Sequence, residues 1–535
     1  MDKAVPSPAL PQSYSRRKAL LIAALLAPGA GLVASLVAVM IMGVLYFALG
    51  APAPITLFGD YVLKHLDVDT FVRLLITFGV NAKKTPLGLA LLGMIAVGTA
   101  LSWLYAALVR VPLPASSVRP GKREGLTALG FAVGMTLIAT LLFWNELARN
   151  QFGLPFGWAV LITILSLLID FSLYGLTLCL AYRLLLPRQS QPDRPTVAQK
   201  RRQLLARSGV ATLALGAGAA SFGLIQRYLQ DYTSYDGTKT WPHNDMVAPI
   251  TPNDQHYVVT QNTVDPTPNL ALWRLEIGGL VHTPGTYTYE EVQKLPSISR
   301  AITLECIANG IGDHLISTAI WQGVLLRTVL ERHGGAQKTA RFVAFSSVDG
   351  YVISLPLDEV LAVDALLAWR MNGAELPARH GYPLRVLVPG RYGEENPKWV
   401  TRVHLTDHFV QGLYSSQGWY NGPLHTISRI DHPRGQLISG QTVEIGGIAF
   451  AGNRGIQRVE VSTDGGGSWQ QANLDQPLSP DSWRFWRLPW HPTQPGKYTL
   501  VARATDGTGE TQTNQQQGTV PNGATGYHQI IVNVE

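Results

Sequence analysis

The run Thr303-Leu304-Glu305-Cys306-Ile307-Ala308-Asn309 holds one of only two cysteines in the 535-residue chain. The other, Cys179, lies far upstream inside an apolar stretch, so the pair does not read as a disulfide. Two readings of Cys306 stand open. A free thiol commonly packs as a small hydrophobe. Yet Asn309-Gly310-Ile311-Gly312-Asp313-His314 follows at once, a polar, glycine-rich turn of the kind that lets backbone approach a ligand. On such a turn a thiolate is a soft metal ligand or a nucleophile.

Working outward, the chain is too long for one domain and suggests three or four. Its first part, to about residue 230, is dominated by Leu, Ala, Val and Gly, whereas the remainder has the mixed, Pro- and Gly-punctuated composition of a β-rich soluble protein. Five runs are long enough to cross a hydrocarbon core, which takes roughly 20 apolar residues: Ala19 to Leu49, Pro86 to Val109, Leu126 to Trp144, Phe156 to Tyr182 and Ser208 to Ile225. The first exceeds the apolar region of a cleaved signal peptide, about 7–15 residues, and reads as a spanning helix.

The formal charge of +7 is modest for this length, and its basic residues cluster beside the apolar runs, which speaks for membrane orientation rather than nucleic-acid binding. Lys3, Arg16, Arg17 and Lys18 precede the first run. Arg110, Arg119, Lys122 and Arg123 fill the second connection, and Arg183, Arg188, Arg194, Lys200, Arg201 and Arg202 the fourth. These segments are expected in the cytoplasm, and five crossings then put the chain after Ile225 outside. Lys200-Arg201-Arg202 before a mildly apolar, Ala- and Gly-rich stretch reads either as ordinary flanking charge or as an internal twin-arginine export signal. None of the 13 histidines lies in the five runs, which excludes paired-histidine haem ligation between spans. Asp170 is the one carboxylate well inside a run, a functional candidate or a residue hydrogen-bonded between helices. The membrane region reads mainly as an anchor.

Residues 227 to 252 have linker composition. Beyond them Leu272 to Ile277 alternates like a strand, Tyr257 to Asn262 is strand-like, and Tyr289 to Leu295 reads as a short helix closed by Pro296. The pattern is α+β. From residue 430 onward Gln441 to Phe450, Ile456 to Ser462, Tyr498 to Ala504 and His528 to Val534 recur as short strands at sandwich spacing, with Asp464-Gly465-Gly466 as a turn.

A series of motifs in this outer region, Leu304-Glu305-Cys306-Ile307-Ala308-Asn309, Leu315 to Val324, Asp349-Gly350-Tyr351, Met371-Asn372-Gly373, His380-Gly381-Tyr382-Pro383-Leu384-Arg385 and Lys398-Trp399, closely resembles the sulfite oxidase family of molybdopterin enzymes. The resemblance covers about residues 255 to 425. It implies one pyranopterin and one mononuclear molybdenum, with Cys306 as the thiolate ligand and the catalytic residue. It further implies that His380, Arg385, Lys398, Asp349 and Asn262 hold the cofactor, whose hydrogen-bonding groups and phosphate call for positioned donors and cations. The C-terminal sandwich resembles the immunoglobulin-like dimerisation domain of the same family, which implies a two-fold dimer. Where sulfite-oxidising members carry an arginine two positions after the motif asparagine, this chain has Ile311, and Val259 stands near the place of a second; loss of two cations weakens binding of a small dianion.

The expected organisation is therefore multidomain: a five-helix transmembrane bundle (1–226), a linker (227–252), an α+β molybdopterin domain (253–428) and an all-β immunoglobulin-like domain (429–535). The expected function is that of a bacterial, membrane-anchored molybdenum oxidoreductase with an extracytoplasmic catalytic domain, transferring oxygen atoms in either direction, as an oxidase or as an S- or N-oxide reductase. No Cys-x-x-Cys-His occurs, so no haem is expected in the chain, and electrons pass to a separate partner, a cytochrome or a quinone-linked protein. Two competitors are a catalytically inactive surface scaffold or adhesion protein that keeps the fold, and a transporter served by an accessory domain. The near absence of intramembrane charge and of paired broken helices argues against the second.

Overall fold

Long uninterrupted runs of Leu, Ala, Val and Gly satisfy every backbone group within the segment, and they fold as helices. In the computed structural model, which describes residues 14–78, 84–188, 197–230, 247–262 and 264–535, seven helices come first. They are α1 Arg16–Leu49, α2 Pro54–His65, α3 Val68–Phe78, α4 Lys84–Val109, α5 Lys122–Leu142, α6 Phe156–Leu185 and α7 Val197–Gln230. Five of them, α1, α4, α5, α6 and α7, are long and apolar enough to cross a membrane. The amphipathic first connection folds as α2 and α3.

The chain divides into two compact units. In the first, small residues let helices approach closely. A Cβ on Gly31 would sit 2.7 Å from the Thr99 carbonyl oxygen of α4, and one on Gly175 would sit 2.7 Å from that of Ala128 in α5. Tyr174 Oη donates to the Gly98 carbonyl at 2.5 Å. Asp170 is buried on α6 beside Met42, Leu45, Ser166 and Leu167.

The second unit comprises, among the described residues, 62–78, 151–155, 247–262 and 264–535. Its first part contains two sheets. Strands β1 Leu275–Gly279, β2 Gly285–Tyr287, β5 Phe342–Ser347, β6 Val352–Pro356 and β10 Val400–Thr406 run in the order β2-β1-β10-β5-β6, with β1 parallel to β10. The other sheet, β3 Ile298–Glu305, β4 Ile316–Leu325, β7 Leu366–Met371 and β8 Ala374–Glu375, has β9 Arg385–Leu387 paired onto β7. Helix α8, Tyr289–Gln293, starts at a capping box made by Thr288 and Glu291.

The C-terminal part packs β11 Ile427–His432, β13 Val443–Phe450, β16 Asn473–Leu474 and β17 Arg484–Trp490 (order β11-β13-β17-β16) over β12 Gln436–Leu437, β14 Ile456–Ser462, β15 Gln470–Gln471, β18 Gly496–Asp506 and β19 His528–Val534 (order β12-β19-β18-β14-β15). Inward residues of both sheets, Ile430, Ile445, Val459, Trp486, Leu500 and Val532 among them, share one core. The expected fold class, long apolar helices, then a molybdopterin-type α+β region, then a β-sandwich, is borne out.

Three local expectations need correction. Helix α7 continues to Gln230, four residues into the expected linker, and residues 231–246 of that linker lie outside the described residues. The strand expected from Leu272 begins at Leu275, because Leu272 and Trp273 still donate their amides to the Asn269 carbonyl, at 2.9 and 2.7 Å. Tyr257 to Asn262 is extended but forms no strand of its own: only Val258 makes a β-bridge, while the Tyr257 amide donates to Ser317 Oγ at 3.1 Å and the Asn262 amide to Thr260 Oγ1 at 3.2 Å.

Candidate molybdopterin site

Strand β3 pairs with β4 up to Glu305↔Ile316, so Cys306 is the first residue beyond the ladder. Its amide donates to the Leu315 carbonyl at 2.9 Å, and its carbonyl accepts from the Asn309 amide at 2.8 Å. The Asn309 side chain closes the loop. Its Nδ2 donates to Glu305 Oε1 at 3.0 Å, while its Oδ1 accepts the Leu315 amide at 2.9 Å. The thiol is buried in a cluster with Tyr257, Ile302, Leu304 and Trp321, so the burial expected of a packing cysteine is present together with the turn expected of a ligand.

Tyr257 joins this loop to the next group. Its surroundings include Cys306, Arg385, Glu305 and Glu394, and burial pushes its phenol well above the ordinary value. Arg385, on β9, is fully enclosed; its guanidinium lies 4.9 Å from the Trp321 ring and donates to the carbonyls of His380 (3.1 Å) and Asn396 (3.2 Å), leaving a buried Nε with no partner. Burial lowers its pKa to about 10, and it remains charged at neutral pH. His380 Nε2 donates to the Asn253 carbonyl at 3.0 Å, and desolvation holds the ring well below the usual histidine range. It is therefore a neutral imidazole with Nδ1 free to accept. His256, 5.1 Å from the His380 ring, is likewise neutral, its pKa lowered to about 3 by burial, with Nδ1 donating to the Tyr257 carbonyl and a buried, partnerless Nε2.

Lys398 donates from Nζ to the carbonyls of Val259 and Arg379, both at 3.2 Å, and lies 4.4 Å from the Trp399 ring. Gly381 makes this approach feasible: its φ is +114°, and a Cβ there would be 3.0 Å from the Cβ atoms of both Arg385 and Lys398. Asn262 Nδ2 donates to Asp349 Oδ2 at 2.8 Å, and Asp349 Oδ1 accepts the Tyr351 amide at 3.1 Å. The structure thus gathers His380, Arg385 and Lys398 around Gly381, joins Asn262 to Asp349 as a pair, and links Cys306 to Arg385 through Tyr257.

Sequence reasoning passed over His256, Tyr257, Asn309 and Glu394 as site residues. Tyr257 lay in a segment read as a strand, and Asn309 was legible as part of the motif. Glu394 gave no signal, since Gly393-Glu394-Glu395-Asn396-Pro397 has the composition of an exposed turn. In the structure the Tyr351 hydroxyl donates to the Glu394 carbonyl at 2.6 Å, and both carboxyl oxygens are buried near the Ile307 amide without closing a hydrogen bond. Burial raises the Glu394 carboxyl well above its ordinary value and pushes Glu305 and Glu395 up to about 8.

The donor set fits a pterin: a buried cation with a spare N–H at Arg385, spare imidazole acceptors at His256 and His380, a lysine, and a soft thiol on a turn. Residues 262–414 match the family model "Oxidoreductase molybdopterin binding domain" and residues 426–535 match "Mo-co oxidoreductase dimerisation domain". Mitochondrial sulfite oxidase of Rattus norvegicus is 30% identical over 311 residues, 48% of this chain and 56% of that protein. Nitrate reductase [NAD(P)H] of Hordeum vulgare is 30% identical over 302 residues, 45% of this chain and 34% of that protein. The crystal structure of the sulfane dehydrogenase SoxCD from Paracoccus pantotrophus aligns with a TM-score of 0.48 at 25% identity, covering 54% of this chain and 84% of that one. The match thus spans about a third to just over half of the curated relatives' own length. The chain carries an oxidoreductase molybdopterin-binding domain followed by a Mo-co oxidoreductase dimerisation domain, and is homologous to sulfite oxidase and nitrate reductase.

Proposed function

We propose that this chain is a bacterial, membrane-anchored molybdopterin oxidoreductase whose catalytic domain lies outside the cytoplasm, works as a two-fold dimer, and passes electrons to a separate cytochrome or quinone-linked partner. In this reading Cys306 is the metal ligand and catalytic residue. Arg385, His380 and Lys398 orient the pterin and its phosphate, and Asn262 and Asp349, bonded to each other, also hold the cofactor. The bound cofactor would supply two-electron oxygen-atom transfer, in the oxidase or the S- or N-oxide reductase direction. The protein's own residues enclose the site, keep two imidazoles neutral and hold a permanent cation at Arg385.

The observation that carries the reading is the buried, partnerless Nε of Arg385, in a domain of matching family, joined through Tyr257 to a cysteine that leaves its strand on a turn. Support for the topology is twofold. Positive charge gathers in the N-terminal tail and the second and fourth connections, and the compact unit that holds the catalytic domain also contains 62–78 and 151–155, from the first and third. The Gln151 side chain donates to Thr267 Oγ1 at 3.1 Å and the Asn269 amide to the Phe152 carbonyl at 3.1 Å, both within that unit.

Two measurements test the proposal. The purified protein from a pterin-competent host should contain about one molybdenum and one pterin per chain, and Cys306→Ser should remove turnover while the protein stays folded. A folded wild type lacking both metal and pterin overturns the reading. Alkaline phosphatase fused after residue 535 should be active and fused in the second connection inactive; the reverse overturns the orientation.

A further inference from the structure

Several buried carboxyl groups lie close to the Cys306 loop, and the cations nearby are already bonded to other groups. The short turn Gly393–Glu395 lies against the Cys306 loop: a Cβ on Gly393 would be 2.6 Å from Tyr257 Oη and 3.6 Å from Cys306 Cα. Tyr351 fixes this turn through the Glu394 carbonyl, and both Glu394 carboxyl oxygens are buried without a hydrogen bond. Glu305 and Glu395 each add one more buried, unbonded carboxyl oxygen. Arg391 is drawn to Glu395 and Glu359, Arg429 binds Asp431 at 2.6 Å, and Arg385 and Lys398 donate to main-chain carbonyls.

We propose that Glu394 is a specificity-determining residue which, by standing beside the Cys306 turn, selects an uncharged oxide as substrate and disfavours a small dianion. A dianion leaving water needs charge-assisted donors in exchange. Glu394 provides none in either protonation state. Ionised, it repels the dianion; protonated, it donates a single neutral hydrogen bond, which suits an S=O or N–O oxygen that carries no net charge. Ile311, beyond the motif asparagine, adds an apolar side chain to the same loop. The inference rests on the cofactor reading above and names the substrate class for that site.

Sulfate and dimethyl sulfone have similar tetrahedral shape and differ in charge, which makes them suitable probes. Binding of each to the molybdenum-loaded, full-length protein is measured by titration calorimetry, with metal and pterin content determined first. Wild type should bind dimethyl sulfone at least about tenfold more tightly than sulfate, a difference of about 1.4 kcal/mol. Glu394→Gln should narrow that ratio by strengthening sulfate binding, and Glu394→Arg should invert it. Glu394→Ala serves in place of either if one loses its metal or its melting transition. Wild type that prefers sulfate, wild type loaded with metal that binds neither probe, or a ratio unchanged by substitution overturns the role of Glu394. A wild type without molybdenum overturns instead the cofactor reading, and the two failures are told apart before any probe is added.

Discussion

Arg385 and Glu395 show what burial does to single charges. Arg385 spends two guanidinium nitrogens on the His380 and Asn396 carbonyls and stacks on Trp321. Arg385→Met should leave two buried acceptors unsatisfied, at about 1–3 kcal/mol each, and should lower pterin content. Arg385→Lys should not rescue it, since an ammonium cannot reproduce the planar fork. Denaturant melts and pterin fluorescence check both. Glu395 keeps a proton in the folded protein up to about pH 8 despite Arg391 at 3.3 Å, because desolvation outweighs the pairing. An ordinary carboxyl releases its proton near pH 4.5, so the folded state holds one proton more than the unfolded state between those values, and stability falls as pH rises through that window. Glu395→Gln should flatten this slope, read as melting temperature from pH 5 to pH 9. A slope equal to that of wild type would show that Glu395 does not contribute. The order His380-Gly381-Tyr382-Pro383-Leu384-Arg385 was legible in the sequence because its spacing is local, whereas the role of Glu394 depends on which distant residues bury it.

At the scale of elements, one side chain bridges the two ends of the loop from Cys306 to Leu315. Asn309 ties the end of β3 to the start of β4 through Glu305 Oε1 and the Leu315 amide. Asn309→Ala should cost about 1–3 kcal/mol for the bonds left unmade and reduce molybdenum per chain, whereas Asn309→Asp should keep the bond from Leu315. Metal analysis beside a thermal melt distinguishes loss of the turn from loss of the fold. The five long helices were legible from length and composition alone, since a spanning helix needs only an unbroken apolar run. In 257–262 the structure departs from the strand that the sequence suggests, because alternation marks an extended chain but does not say whether a neighbour supplies a ladder. Here Ser317 and Thr260 take the Tyr257 and Asn262 amides, Lys398 takes the Val259 carbonyl, and pairing is reduced to a bridge at Val258.

At the scale of the molecule, the β-sandwich braces the strand and the loop that flank Cys306. The Trp483 amide donates to Thr303 Oγ1 at 2.8 Å, Arg300 pairs with Asp481, and a Cβ on Gly312 would collide with the His528 ring. None of this was readable from sequence, where the residues that meet lie more than a hundred positions apart in two separate patterns. Arg429 on β11 makes the most specific link: it binds Asp431 at 2.6 and 3.3 Å and donates from Nη1 to the Asp313 carbonyl at 2.8 Å, with both side chains buried. Arg429→Met alone strands the Asp431 carboxylate and should cost about 3–5 kcal/mol. Replacing both partners, Arg429→Met with Asp431→Leu, removes the stranded charge and should recover most of that loss, since a buried pair is often matched by apolar packing. The Asp313 carbonyl still lacks its donor in the double variant. Amide exchange over 310–315 should therefore be faster than in wild type while the melting temperature is nearly restored. Wild-type exchange in that loop would mean that the sandwich holds the protein together without positioning the turn after Cys306.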